Sequence, residues 1–169
     1  MSINKLETRQ DLEDLFKWLN EPLYRYIYIR CGYNRELAED ITQDVFVKAW
    51  EKRETFNPNR STLKNWIYII ARNHIIDFYR KKKIVGSSFN EEIEESIKQQ
   101  GVSLEDELLL EDILKNLNRL NEKEKEVIVL RYVQDLDIRD VAQIIGKSEN
   151  TTKVMIHRAL KKLKYIMNQ

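Results

Sequence analysis

Asn150, Lys153, Val154, Met155, His157, Arg158 and Lys161 fall on positions that a helix would turn away from its apolar face. Side chains of these types can read a DNA major groove. Lys153 and Arg158 can reach guanine edges or phosphates, and Val154 and Met155 offer apolar surface to thymine methyl groups. Basic charge alone describes an ordinary solvated face equally well. The turn that precedes this stretch favours the groove, as does an apolar pair where a plain surface would be polar. A second set joins Arg80, Lys81, Lys82 and Lys83 to the aromatic residues Phe56, Trp66, Tyr68 and Tyr79. Single-stranded bases stack on aromatics while cations hold the backbone. The same charges also suit a helix C-terminus, and Trp66 taken alone reads as core. A third set, Asp40, Gln43, Asp44 and Val47, forms an acidic, partly apolar stripe. It reads as solvent-facing or as a protein-binding face, because a DNA-binding face would not be acidic. Covalent chemistry finds little support. His74 and His157 are far apart, no Cys/His cluster suits zinc, and no glycine-rich phosphate loop occurs. No catalytic residue, metal ligand or cofactor is expected.

The groove-reading set needs a helix-turn-helix. Asp137 to Ile145 gives a short helical pattern, Gly146 and Lys147 a turn, and Ser148 starts a second pattern to about Met167. Thr152, Ile156, Ala159, Leu163 and Met167 predict its core face. Asn121 with Glu124 resembles a capping box, and Asp137 with Asp140 a weaker cap of the same kind. Leu108, Leu109, Ile113, Leu117 and Leu120 predict an amphipathic helix before them. Upstream, Leu12, Leu15, Phe16 and Leu19 recur at helical spacing, Pro22 interrupts, and Leu23, Tyr26, Ile27 and Arg30 continue a further helix that Gly32 ends. A third helix over about Arg35–Arg53 carries Ala38, Ile41, Val45 and Ala49 on one face, widened by Phe46 and Trp50. Phe56 to Ser61 reads as a loop. Ser61 or Thr62 caps a fourth helix from about Leu63 to Lys82.

These patterns make an all-α chain of two small helical domains, over 8–83 and 104–169, joined by a flexible acidic tether over 84–103. The overall net charge of +1 hides a polarised distribution. Residues 1–83 hold 16 basic against 12 acidic residues, 84–111 hold 1 against 8, and 112–169 hold 12 against 8. The tether is a soluble spacer or an electrostatic mimic of a nucleic-acid backbone in a basic channel of a partner. Cys31 is the only cysteine, so no internal disulfide forms. No apolar signal core opens the chain and no run suits a bilayer, so a cytoplasmic protein is expected.

Two motif blocks then resemble a known family. The first is the run Ala38 to Trp50, with Asn65, Trp66, Ile67, the run Ile70 to Asp77, and Arg80. The second is Leu120 to Arg131, with Asp140, Val141, Ala142, Thr151, Lys153, Arg158, Ala159 and Leu163. In this order they resemble regions 2 and 4 of the sigma-70 superfamily of bacterial sigma factors, in the short extracytoplasmic-function (ECF) group. The resemblance implies a subunit that binds core RNA polymerase and directs it to promoters. It implies that Asp40, Gln43, Asp44 and Val47 dock on the β′ clamp helices. It assigns the loop Phe56–Leu63, with Asn59 and Arg60, and Asn73 to a flipped-out base of the −10 element's non-template strand. Trp66, Arg72, Tyr79, Arg80, Lys81, Lys82 and Lys83 would support melting and hold DNA nearby. Region 4 would dock on the β flap and lay Asn150, Thr151, Lys153, Val154, Met155, His157, Arg158 and Lys161 along the −35 groove. An anti-sigma factor is a further implied partner. The chain departs from the family where Asn150 replaces a frequent Gly, and where Val154 and Met155 replace frequent Ser and Arg. More thymine-methyl contact and less guanine reading is therefore expected. Two rival functions remain at this point: a free-standing helix-turn-helix regulator, and a sigma-like protein that sequesters a partner without initiating transcription.

Overall fold

The computed structural model describes residues 5–85 and 115–169. Described helices α1 (Arg9–Arg30), α2 (Arg35–Glu51) and α3 (Leu63–Val85) make the first domain, with a short 3-10 turn at Arg53–Thr55. The second has helical residues 115–118, then α4 (Glu122–Ile128), a π-helical segment Val129–Val133, α5 (Ile138–Ile145) and α6 (Glu149–Met167). No strand occurs among the described residues. The expected tether beyond Val85 and the leucines at 104–110 with Ile113 lie outside them.

Helix α1 starts on a capping box that the sequence reading passed over. Thr8 Oγ1 accepts from the Asp11 amide at 3.1 Å, while the Asp11 carboxylate accepts from the Thr8 amide at 2.7 Å. The expected break at Pro22 does not occur: one helix runs through it. Leu15, Leu19, Leu23, Tyr26, Ile27 and Arg30 are buried along an unbroken stripe across the proline. Burying such side chains is worth about 1.5–3 kcal/mol each, enough together to outweigh the roughly 3 kcal/mol cost of an internal proline. Helix α1 ends where Gly32 and Tyr33 both adopt left-handed backbone, at φ 65° and 66°.

Helix α2 buries Ala38, Ile41, Val45, Phe46 and Ala49 as its periodicity predicts, and stops two residues short of Arg53. Thr62, of the two candidates, caps α3 by accepting from the Asn65 amide at 3.1 Å. In the second domain the Asn121–Glu124 box is complete, with both arms at 3.0 Å. The Asp137 cap has one arm only: its carboxylate accepts from the Asp140 amide at 2.8 Å. Gly146 closes α5 at φ 68°, with Gly146 N–H to Gln143 O and Lys147 N–H to Ala142 O. Those two bonds form the reverse turn that favours glycine and sets α6 against α5. Thr152, Ile156, Ala159 and Ile166 line the buried face of α6. Ile166 takes the place expected of Met167, which is 56% exposed; the 3.6-residue repeat drifts away from a strict spacing of four over four turns.

The two domains share one continuous apolar core, in which Tyr26, Ile27, Tyr68, Val129, Leu130 and Leu136 are all buried. Tyr26 and Tyr68 meet edge to face at 5.3 Å.

Candidate nucleic-acid and polymerase interfaces

Helix α2 turns Asp40, Gln43, Asp44 and Val47 out together, and Val47 is 55% exposed. Beside them Phe16 is exposed and packs its ring on Phe46 at 4.9 Å, so the face is more apolar than its sequence stripe. Under its edge lies His74, a residue the sequence reading left without a role. His74 Nε2 is 3.4 Å from the Asp44 carboxylate, and Nδ1 contacts the Lys48 ammonium. Partial burial, then the Lys48 charge, lower the imidazole pKa against the opposing pull of Asp44 and Asp77. A neutral ring accepts from Lys48 and donates to Asp44, which ties the acidic stripe to α3.

The loop between α2 and α3 is shaped by its own side chains. Asn57 Oδ1 accepts from the Asn59 amide at 2.9 Å, and Asn57 O accepts from the amides of Arg60 and Ser61. Asn59 and Arg60 are thereby held exposed at the tip. Phe56 packs on Trp66 at 5.4 Å, both half-buried. An open cleft of about 510 Å³ lies beside Phe56, lined also by Lys5, Leu6, Glu7, Arg53, Glu54 and Pro58. The Arg53 guanidinium lies over the Trp50 ring, 4.4 Å from its centre.

Helix α3 divides the expected −10 set between two faces. Trp66, Asn73 and Arg80 recur every seven residues and share a side with the loop; Asn73, Arg80 and Lys81 are exposed. Arg80 pairs with Asp77 at 3.1 Å. The side chains of Lys82 and Lys83 lie outside the described residues. Asn65, Tyr68, Arg72 and Tyr79 occupy the other side, against the second domain or the core. Three of the residues expected near DNA have partners within the molecule. Tyr68 is fully buried, and its hydroxyl donates to Gln134 Oε1 at 2.7 Å. The π-helical turn brings Gln134 there, through a bond from Gln134 N–H to Val129 O. Tyr79 packs inward and hydrogen-bonds the Cys31 thiol; burial dominates the rise in both pKa values, the thiol's to about 12. Arg72, a side chain only 24% exposed, donates from Nε to Glu126 at 3.0 Å.

Glu126 is the centre of a charged network between the domains. Its Oε1 also lies 2.8 Å from Arg30 and accepts from the Tyr26 hydroxyl at 3.2 Å. Glu122 adds Arg30 at 3.5 Å and Lys125 at 3.3 Å, and Lys125 donates to Asn118 at 3.0 Å. Burial lowers the Lys125 pKa, and Glu122 pulls against it. Losing one partner of such a buried pair typically costs about 3–5 kcal/mol. A second cluster sits at the rim. Asn65 Nδ2 donates to Asp140 Oδ1 at 2.6 Å and to Gln143 Oε1 at 2.7 Å, and Gln143 Nε2 donates to the Arg60 carbonyl.

Helix α6 is different. Asn150, Thr151, Lys153, Val154, His157, Arg158 and Lys161 are all exposed, and Val154 is 49% exposed. Thr151 shares a hydroxyl contact with Ser148 at 2.9 Å, beside the helix cap. Met155 is the exception: half-buried, it packs against the core rather than standing clear in the groove-facing set. No described helix is long and apolar enough to cross a membrane.

Comparison with known proteins agrees with both blocks. Residues 19–84 match the Sigma-70 region 2 family and residues 110–163 the Sigma-70, region 4 family. The chain is 31% identical to the ECF RNA polymerase sigma factor SigW of Bacillus subtilis, over 91% of this chain and 86% of SigW. It is 30% identical to the ECF RNA polymerase sigma factor BldN of Streptomyces coelicolor over 88% of this chain, and spans 57% of BldN's length. A solved structure of the sigma factor RpoE with the anti-sigma factor NepR from Bartonella quintana superposes with a TM-score of 0.70. That match has 27% identity and covers 94% of this chain and 98% of RpoE. With an acidic stripe, an aromatic loop and a helix-turn-helix in the family's order, the chain belongs to the sigma-70 family, as an RNA polymerase sigma factor of the ECF group.

Proposed function

We propose that this sigma factor divides its work between 8–83, which binds core polymerase and the −10 element, and 104–169, which binds the −35 element. Asp40, Gln43, Asp44 and Val47, with Phe16 beside them, dock on the β′ clamp helices. Phe56, Asn59, Arg60 and Asn73 receive a base flipped from the non-template strand. Extruding that base costs a few kcal/mol. Stacking against the Phe56–Trp66 pair, worth about 1–3 kcal/mol per base, offsets the cost while Arg80 to Lys83 hold the backbone. Asn150, Thr151, Lys153, Val154, His157, Arg158 and Lys161 enter the −35 major groove, and the second domain rests on the β flap. The chain performs no covalent chemistry, works in the cytoplasm on the nucleoid, and takes an anti-sigma factor as a further partner. The observation that carries this reading is the half-buried Phe56–Trp66 pair flanked by exposed Asn59, Arg60, Asn73 and Arg80, in one chain with an exposed basic face on α6.

The test is run-off transcription with core polymerase over fragments of the source genome. Transcripts that need both components, with start sites aligned to two shared elements, are expected. Polymerase binding without transcripts would favour a sequestering protein. DNA binding without polymerase or transcripts would favour a free-standing regulator.

A further inference from the structure

We propose that the cleft beside Phe56 is a second base subsite, which takes an unpaired cytosine or guanine adjoining the flipped-out base on the same strand. This rests on the −10 assignment above and adds a position to it. The cleft, about 510 Å³, falls within the roughly 300–1,000 Å³ of small-ligand sites. Lys5, Leu6 and Glu7 line it from the N-terminal segment, and Arg53, Glu54, Phe56 and Pro58 from the stretch between α2 and α3. Asn59, Arg60, Trp66 and Asn73 do not line it. Phe56 alone belongs to both sets: its ring packs on Trp66 and also walls the cleft. Successive bases of a single strand stack on aromatic side chains, so a ring shared by two sites suits neighbouring bases.

Both walls are held in place. Leu6 is buried, and the Glu7 amide donates to the Asp11 carboxylate at 2.9 Å, beside the Thr8–Asp11 capping box. The N-terminal segment is thereby tied to α1, and Lys5 pairs with Glu7 at 3.3 Å. On the other wall, Arg53 donates to the Trp50 carbonyl at 2.9 Å and lies over the Trp50 ring, which fixes the guanidinium and leaves it partly exposed. Glu54 is much freer. Its side chain is 88% exposed and approaches Arg53 only at 4.0 Å. A carboxylate so loosely paired keeps its lone pairs for a ligand.

The cleft holds two cations and two carboxylates, a balance that suits the edge of a base better than a phosphate alone. A carboxylate accepts from an exocyclic amine, as on cytosine N4, and a guanidinium donates to a carbonyl oxygen, as on guanine O6. Cytosine and guanine carry both groups; adenine lacks the carbonyl and thymine lacks the amine. Glu54 takes the amine, Arg53 the carbonyl, and Phe56 packs against the base. Lys5 holds the phosphate at the mouth. Lys5 and Arg53 are distant in sequence and come together only in the fold.

The experiment uses holoenzyme formed from the full chain and core polymerase. It selects from a pool that carries the −35 duplex of a promoter found by run-off transcription and a randomised, unpaired −10 non-template strand. The wild type should enrich one base at the flipped-out position and cytosine or guanine at a position beside it. Glu54→Ala should weaken the second preference about fivefold, the low end for a base-edge contact, and leave the first unchanged. Asn73→Ala should do the reverse, and Phe56→Ala should weaken both. Lys5→Ala should weaken binding of every sequence alike without altering either preference. A Glu54→Ala holoenzyme with wild-type preferences overturns the proposal. So does a loss at the same position as in Asn73→Ala, which would make the cleft part of the first pocket. Displacement of the strand by free GMP or CMP would make it a mononucleotide site and overturn the strand assignment. If Asn73→Ala leaves every preference intact while Glu54→Ala removes one, the flipped-base assignment fails and the cleft stands as a base site.

Discussion

The two faces proposed to meet DNA are prepared in opposite ways. The α6 face stands open, with Asn150, Lys153, Val154, Arg158 and Lys161 all exposed. Part of the α3 set expected to face DNA is instead engaged within the molecule, Arg72 by Glu126 and Tyr79 by Cys31. Duplex reading needs only a preformed helix whose side chains reach a groove. Strand capture needs an aromatic pocket that would also bind any exposed single strand, since stacking is tolerant of sequence.

The largest effect that would sharpen this contrast is loss of the aromatic pair. Phe56→Ala should reduce open-complex formation by the holoenzyme about 10- to 100-fold, the kinetic equivalent of roughly 1–3 kcal/mol of stacking. Its binding to a −35 duplex should be unchanged. Arg158→Ala should do the converse and more weakly: a few-fold to tenfold loss on −35 duplex, with the slope of affinity against salt reduced by about one. The readouts are heparin-resistant complexes for the first and salt-titrated duplex binding for the second. If either variant damaged both steps equally, the faces would not be separable.

The elements of this fold were legible because each has a local cause. Gly146 ends α5, Ser148 caps α6, Asn121 and Glu124 box α4, and the apolar periods of α2 and α6 name most of their buried residues. Pro22 misled because its penalty is local, while the burial that outweighs it depends on partners far along the chain. The expected faces emerge as exposed surfaces only where one helix presents one surface, as on α2 and α6. On α3, Tyr68, Arg72 and Tyr79 have the composition of a DNA face, and only the docked second domain reveals them as contact residues. His74 carried no signal: its partners Asp44 and Lys48 are 30 and 26 residues away.

A finer contrast lies within α6 itself. The residue types predict thymine-methyl contact from Val154 and Met155 alike, but Val154 is exposed and Met155 packs inward. Val154→Arg should therefore alter the preferred −35 sequence more than Met155→Arg. A bidentate arginine is worth about 1–3 kcal/mol of discrimination at the base it meets. Selection of −35 sequences from a randomised pool measures both, and an equal or larger shift from Met155→Arg would reverse the ranking.

The smallest effect concerns the face on α2 proposed to meet polymerase, which His74 supports from α3. His74 joins α3 to Asp44, with Lys48, Asp77 and Lys81 also acting on it. Its pKa is depressed in the folded chain, so the native state favours the neutral ring. In the unfolded chain the imidazole titrates at its ordinary value of 6.5. As pH falls below that value the unfolded state takes up the proton first, so stability declines from about pH 6.5 down through the lower folded value; above it His74 adds no slope. Protonation also sets the ring against Lys48 and draws it to Asp44, so polymerase affinity should weaken over the same window. Urea midpoints at pH 7.5 and 5.5 should differ less in His74→Gln than in the wild type. Equal differences in the two proteins would leave His74 as a packed side chain with no hold on the acidic stripe.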